Sequence, residues 1–491
     1  MNSEKSTIVK RYLCVLGIIC LFFYIFVFSV LLYRYINKTD VNRQVPDDYK
    51  EEIAEKTDST SMTISHSDPG SGIVLDPTEK LYRDSLVSLK GNGNDQVTIM
   101  IYMNGSNLES DYGSATADIK EMLDADLSDK VSVVIETIGT YEWQRYNIAS
   151  DHSQRYLIDN HKLILVDDTL DQEDCTDPDA LSDFIIWSKE NYPADRYFLI
   201  LWDHGGGSVD GFGYNEWGHY SDALTLDEMQ TALKDGGVVF DFIGFDSCIM
   251  SSIEVCYALY DYCDYMILSE DFESSLGWFY KNWLTQLADN TSIDTPTLAR
   301  TIIDDMVIAN EKDHALGDAS TLALIDEKYL PALFEEWKNF AYANEDALLE
   351  RNYSREVIRS DRALPTRRNY NPLLKVDSEL KEYYVTDMLA VAASINATYT
   401  KSLSSLLNQT IVYYNYTANN AGLTGLSVTL PYGDPSFYRD QKEIYELCGF
   451  DQDYIDWLEQ FTTVTDDAER VDYNDIDWEN SSGFSGSGGL W

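Results

Sequence analysis

The sequence predicts an α/β protein: a mainly parallel sheet flanked by helices, followed by an α+β subdomain and preceded by a transmembrane helix. Three observations predict it. Short continuous apolar runs alternate with helical patterns between residues 97 and 269, this regularity loosens beyond about residue 290, and residues 12–33, YLCVLGIICLFFYIFVFSVLLY, carry no charge. Strands that are apolar throughout are buried on both faces, and helices between them supply the cover, as in βαβ units.

Taken in order, residues 1–11 form a short segment expected on the cytoplasmic side. The 22 residues of 12–33 would cross a hydrocarbon core of ~30 Å at ~1.5 Å per residue. The run is longer than the apolar region of a signal peptide and no small-x-small cleavage site follows it before Arg34, so an uncleaved anchor is expected. Lys5, Lys10 and Arg11 balance Arg34, Lys38 and Arg43 across it, and the short leading segment decides the orientation: a single-pass protein of the cell membrane with its bulk outside. Residues 34–92, rich in Asp, Glu, Ser and Thr, read as a stalk or pro-segment.

A first domain is expected over 93–290. Its strands are VTIMIYM (97–103), KVSVVIETI (130–138), RYFLILW (196–202), VVFDFIGF (238–245) and YMILS (265–269), and its helices include ATADIKEMLDA, ALSDFIIWSKEN and LTLDEMQTALKD. Over 291–465 the pattern changes to a long helix TPTLARTIIDDMVIANE, a strand STLALI, a helix LPALFEEWKNFAYA, then TDMLAVAASI and the strand-like TIVYYNY and GLSVTLPY. Arg351, Arg355, Arg359, Arg362, Arg367 and Arg368 interrupt it in a stretch read as a solvated loop, and 466–491 is an acidic, Gly/Ser-rich flexible tail.

Composition bounds the function. With 36 Lys+Arg against 84 Asp+Glu in 491 residues the net charge is −48, which excludes most nucleic-acid binders and favours cationic partners such as basic peptides. A 44% hydrophobic content excludes wholesale disorder. Of seven cysteines, Cys14 and Cys20 lie in the anchor; the remaining five show neither a regular disulfide framework nor a CxxC pair.

The chemistry concentrates at two strand ends. In LILWDHGGG, His204 follows an apolar strand and precedes three glycines; in FIGFDSCIM, Cys248 follows the next strand and is expected to start a helix. Ligands of open α/β sheets bind outside the carboxyl ends of the strands, so both residues belong to one rim. A helix amino terminus and a nearby imidazole would lower the thiol pKa. The amides of Gly205 and Cys248 are candidate oxyanion donors, and His204 would protonate the leaving amine and activate water. Taken singly, each residue also fits a packing or hydrogen-bonding role; their conjunction at consecutive strand ends points to a cysteine hydrolase.

The pairing of WDHGGG with FDSCIM resembles the clostripain family of caspase-like cysteine peptidases. TIMIYMNGSNLE (98–109), LSEDFESSLGWFY (268–280) and GLSVTLPY (425–432) are similar to further segments of that family, and together the likeness spans about residues 95–435. The resemblance implies a caspase-like fold, His204 as general acid/base, Cys248 as nucleophile, and Asp246 at the floor of a pocket for a P1 Arg or Lys, although Asp246 also fits a helix cap. His219, Asp203 and Asp222 lie nearby and receive no catalytic role.

Two departures follow. Members of the family commonly cut themselves after a basic residue in the loop following the catalytic His, but residues 205–233 contain neither Lys nor Arg. Any cut is therefore expected in 351–368 or in the stalk. The anchor is the second departure. No cofactor is expected to be required; the resemblance leaves calcium open, and no DxDxDG-type loop is present. Two functions remain from the sequence: a membrane-anchored endopeptidase cleaving after Arg or Lys, and a surface interaction protein that keeps the scaffold without turnover.

Overall fold

The computed structural model describes residues 82–217, 223–274, 276–312, 320–349, 385–395, 399–417, 420, 423–432 and 435–464. The expected anchor, most of the stalk, the arginine-rich stretch and the tail lie outside the described residues, as do His219 and Asp222. Among the described residues no helix is long and apolar enough to cross a membrane.

Among the described residues eleven strands are present: β1 Val97–Asn104, β2 Val131–Ile138, β3 Gln154–Asp159, β4 Lys162–Asp167, β5 Arg196–Trp202, β6 Phe240–Asp246, β7 Cys263–Leu268, β8 Thr321–Asp326, β9 Val385–Asp387, β10 Ile411–Tyr416 and β11 Ser427–Thr429. Nine form one sheet in the order β10-β8-β7-β6-β5-β1-β2-β3-β4, and β11 pairs with β9 in a separate ribbon. The centre, β2-β1-β5-β6-β7, is parallel, and the flanking pairs are antiparallel. The result is a mixed, mainly parallel sheet with helices on both faces. The sheet switches direction at β1, where the chain first adds β2 on one side and then returns to place β5 on the other. In such sheets a crevice opens at that point, outside the carboxyl ends of the strands.

Burial on both faces explains the strand sequences. Met100 and Tyr102 of β1 point into one apolar layer, while Val97, Ile99, Ile101 and Met103 point into the other, and all are buried. The helices that position the site are α1 Ser106–Ser110 and α2 Ser114–Leu123 after β1, α3 Pro178–Asn191 before β5, α4 Gly207–Asp210 after it, and α5 Leu226–Gly236 before β6. Asp177 caps α3 by accepting from the Asp179 N–H, and Thr225 with Glu228 forms a capping box on α5.

Three features differ from the sequence reading. The 154–167 hairpin was not anticipated. Its two-residue turn, Asn160-His161, has φ of 48° and 58°, the left-handed pair that a tight hairpin requires, but without the glycine that usually marks it. Second, the expected division near residue 290 does not separate two sheets, because β8 and β10 extend the same sheet beyond β7. Third, the end of the expected stalk is docked: Arg83 donates to Asp264 at 2.9 Å, and the N–H groups of Leu86 and Val87 donate to the same carboxylate.

Candidate active site

The rim of β1, β5 and β6 holds the candidate residues. Asp203, buried at the end of β5, accepts hydrogen bonds from Ser106 Oγ at 2.6 Å, the Tyr214 N–H at 2.6 Å and Asn104 Nδ2. One carboxylate thus ties the end of β1 to the glycine loop that follows His204. The loop is fixed from its other side as well. Ser208 on α4 bonds Thr429 Oγ1 at 2.8 Å and the Tyr445 hydroxyl at 3.0 Å, and its carbonyl accepts from Gln441. Residues some 220 positions downstream therefore hold the histidine loop in place.

His204 is half-buried, and its Nε2 lies 2.7 Å from Asn107 Oδ1 on α1. Desolvation lowers its pKa to about 4, so the imidazole is neutral at neutral pH. Next to it the two strand ends touch. A Cβ on Gly205 would lie 2.1 Å from the Cys248 carbonyl oxygen and 3.0 Å from Ser247 Oγ, so only glycine permits this approach. The backbone pairing of the loop runs from the Gly206 N–H to Gly211 O and from the Gly213 N–H to His204 O, which leaves the Gly205 N–H outside that ladder.

Cys248 does not start a helix. The helix after it, α6 Ile253–Leu259, begins five residues later with Ser252 as its cap, and Ile249 adopts a φ of 63° in the intervening turn. A β-branched residue with positive φ is a strained turn, of the kind that persists where a side chain must be presented at a strand end. The expected lowering of the thiol pKa by a helix terminus is therefore corrected. Burial pushes the Cys248 thiol up, with the charge of Glu273 adding to it, and the sulfur instead accepts from the Glu273 N–H at 3.2 Å. Val385 and Phe272 pack against Cys248 and Ile249. Val385 is the first described residue after the arginine-rich stretch.

Asp246 ends β6 and caps nothing; its carboxylate accepts from the Trp278 N–H at 3.2 Å and from the Tyr280 hydroxyl at 2.8 Å. Burial raises its pKa to about 7. His204, Ser247, Cys248 and Asp246 all line one cavity of about 30 Å³, together with Glu273, Ser274 and Gly277. That volume holds a couple of water molecules. Sequence reasoning missed the contacts of Asn107 and Glu273, although both lie in the family-like segments 98–109 and 268–280, because only tertiary packing shows which side chains of those segments reach the rim; Asp118, behind Gly277, lies outside any such segment. Among the described residues no group of three or more His, Cys, Asp or Glu side chains is arranged to hold a metal ion.

The structure brings a thiol and an imidazole to one cavity at the carboxyl ends of parallel strands, an arrangement compatible with a cysteine hydrolase. The chain belongs to the clostripain family of C11 peptidases, whose sequence profile it matches over residues 101–481, and is thus a cysteine endopeptidase. Clostripain of Hathewaya histolytica is 26% identical over 422 residues, which cover 70% of this chain and 76% of that protein. Among solved structures, an inactive zymogen C11 protease from Parabacteroides distasonis aligns with a TM-score of 0.55 and 18% identity, over 74% of this chain and 98% of that one. A secreted C11 cysteine protease from Bacteroides thetaiotaomicron in complex with an irreversible peptide inhibitor aligns at 0.52 and 18%, over 72% and 99%. At these identities the structural likeness speaks to the fold. Family membership decides between the two functions left open by the sequence, in favour of the enzyme.

Proposed function

We propose that the protein is a membrane-anchored endopeptidase that cleaves after Arg or Lys, with Cys248 as nucleophile and His204 as general acid/base. The observation that carries this reading is the single cavity lined by His204, Cys248 and Asp246, with the Gly205 backbone against the Cys248 carbonyl. Asn107 Oδ1 can only accept, so His204 Nε2 carries the proton and Nδ1 is the nitrogen that takes the thiol proton. The thiolate attacks the scissile carbonyl, and the oxyanion is met by the Gly205 and Cys248 amides. His204 then protonates the leaving amine and afterwards activates the water that hydrolyses the thioester. A buried carboxylate at Asp246 suits a cationic P1 side chain and penalises neutral ones.

The arrangement described is latent, because burial keeps the thiol un-ionised and the cavity is narrow. The arginines of 351–368 match the proposed specificity, and cleavage there would cut the chain upstream of Val385, which packs against Cys248. The anchor rests on residues 12–33 of the sequence and would hold this processing at the outer face of the membrane. Peptides varied only at P1 test the reading, with calcium present and chelated and with Cys248→Ala as control. Cleavage after Arg or Lys that vanishes in the variant is expected, and His204→Ala should lose about 10²–10⁴ in kcat. Cleavage that survives Cys248→Ala, or that favours acidic or apolar P1 residues, would overturn it.

A further inference from the structure

Behind the floor of the cavity lies a second acid. Asp118, on α2, is buried, and its Oδ2 accepts from Trp202 Nε1 at 2.7 Å. Gly277 shows how close it comes to Asp246. A Cβ on that glycine, which has a φ of 61° and lines the cavity, would lie 3.0 Å from Asp246 Oδ1 and 3.2 Å from Asp118 Oδ2. Two oxygens that close to one point are no more than about 6 Å apart. Any side chain at 277 would fill the space that the two carboxylates share. Beside them Ser247 Oγ, buried and lining the same cavity, has no hydrogen-bond partner among the described residues. Asp246 and a spare hydroxyl thus line the cavity, and Asp118 stands just behind Gly277, so that the field of both acids favours a polar, cationic occupant.

We propose that Asp118 is a second specificity residue of the P1 pocket, so that a basic P1 side chain is held by the paired field of Asp118 and Asp246. The proposal rests on the P1 reading given above. Around the pair stand Glu121, whose carboxylate accepts from the Tyr280 N–H, and Glu109; both are acids, and burial raises both, to about 8 and about 7. Asp118 itself is raised by burial, then by the charges of Asp246 and Glu121. The empty pocket therefore retains a proton near neutrality, and a guanidinium that enters displaces it. Catalytic efficiency toward basic P1 residues consequently falls as the pH drops through the titration of the pair.

The test compares Arg with citrulline, its uncharged isostere, at P1. Asp118→Asn keeps an acceptor for Trp202 and removes the charge. The Arg-to-citrulline ratio of kcat/KM should fall about tenfold or more, and the acidic limb of the pH profile should move to lower pH, because Asp246 loses a like charge. A residue that only supports Trp202 would move neither, and an unchanged ratio and limb would overturn the proposal. Asp246→Asn gives a second, independent reading. Two acids leave a residual preference for Arg in that variant; loss of all preference there also overturns the proposal. Failure of the P1 reading itself is separate, since it shows in the wild-type chain as no preference for Arg over citrulline.

Discussion

Asn107 Oδ1 lies 2.7 Å from His204 Nε2, so in the mechanism proposed above the imidazole would enter the reaction with its tautomer already chosen. The geometry is held because α1 follows directly from the end of β1 and Asp203 clamps the same junction through Ser106 and Asn104. Replacing Asn107 with Ala should lower kcat by about tenfold to a hundredfold, part of the ~10²–10⁴ that acid–base catalysis supplies, with little change in KM. A change confined to KM would place Asn107 in substrate binding instead. The placement of the His204 and Cys248 pair at neighbouring strand ends of one rim was legible in the sequence, since each residue follows an apolar strand. The state of its thiol was not. Burial and the Glu273 amide set that state, and Glu273 reaches Cys248 only because Ile249 turns the chain back through a positive φ.

Among the elements, α6 shows how the nucleophile turn is braced. Glu254 in its first turn is buried and accepts from the Thr429 N–H of β11 at 3.1 Å and from the Tyr454 hydroxyl at 3.0 Å. Tyr454 belongs to α12 Gln452–Phe461, numbering onward from α7 Tyr280–Asp289, α8 Thr295–Lys312, α9 Leu330–Ala343, α10 Thr400–Thr410 and α11 Pro435–Leu447. Burial raises Glu254 to about 7, so the folded state keeps a proton that the unfolded state releases above the ordinary 4.5. Stability from this group is complete at low pH and is lost as the pH rises from 4.5 through about 7. Glu254→Gln retains acceptor and donor but has no charge to bury. Its melting temperature should exceed that of the wild type at about pH 8 and match it near about pH 5, as thermal unfolding would show. Equal pH slopes in the two proteins would refute the assignment. Helix periodicity made α9 legible to the residue, whereas the start of α6 was placed too early because the turn at 247–251 looks apolar and continuous with it.

For the whole molecule, the parallel centre was readable because buried strands leave long apolar runs. The antiparallel edges were harder to read. β4 exposes Ile164, Leu165 and Val166 and so lacks the in-out alternation of a half-buried strand. Nor does any local pattern tell that a strand after residue 400 returns to a sheet begun at residue 97; that is decided by the complementarity of β8 and β10, with Asp304 of α8 bonding both Tyr413 and Asn415 of β10.

That return has a consequence for an enzyme cut in its arginine-rich stretch. Both flanks of 350–384 are woven into the same body: β8 lies before it and β10 after it, side by side, while Ser208 and Glu254 hold the later segments to the earlier ones. A broken peptide bond there would remove covalent continuity without removing a strand from the sheet. The product should therefore run as two polypeptides in denaturing gels and as one particle of unchanged mass in solution, inseparable without unfolding. Val385, which packs against Cys248, would then be held to the body by β9 and its ribbon partner, so that a single cut alters the chain beside the thiol while the architecture around it persists.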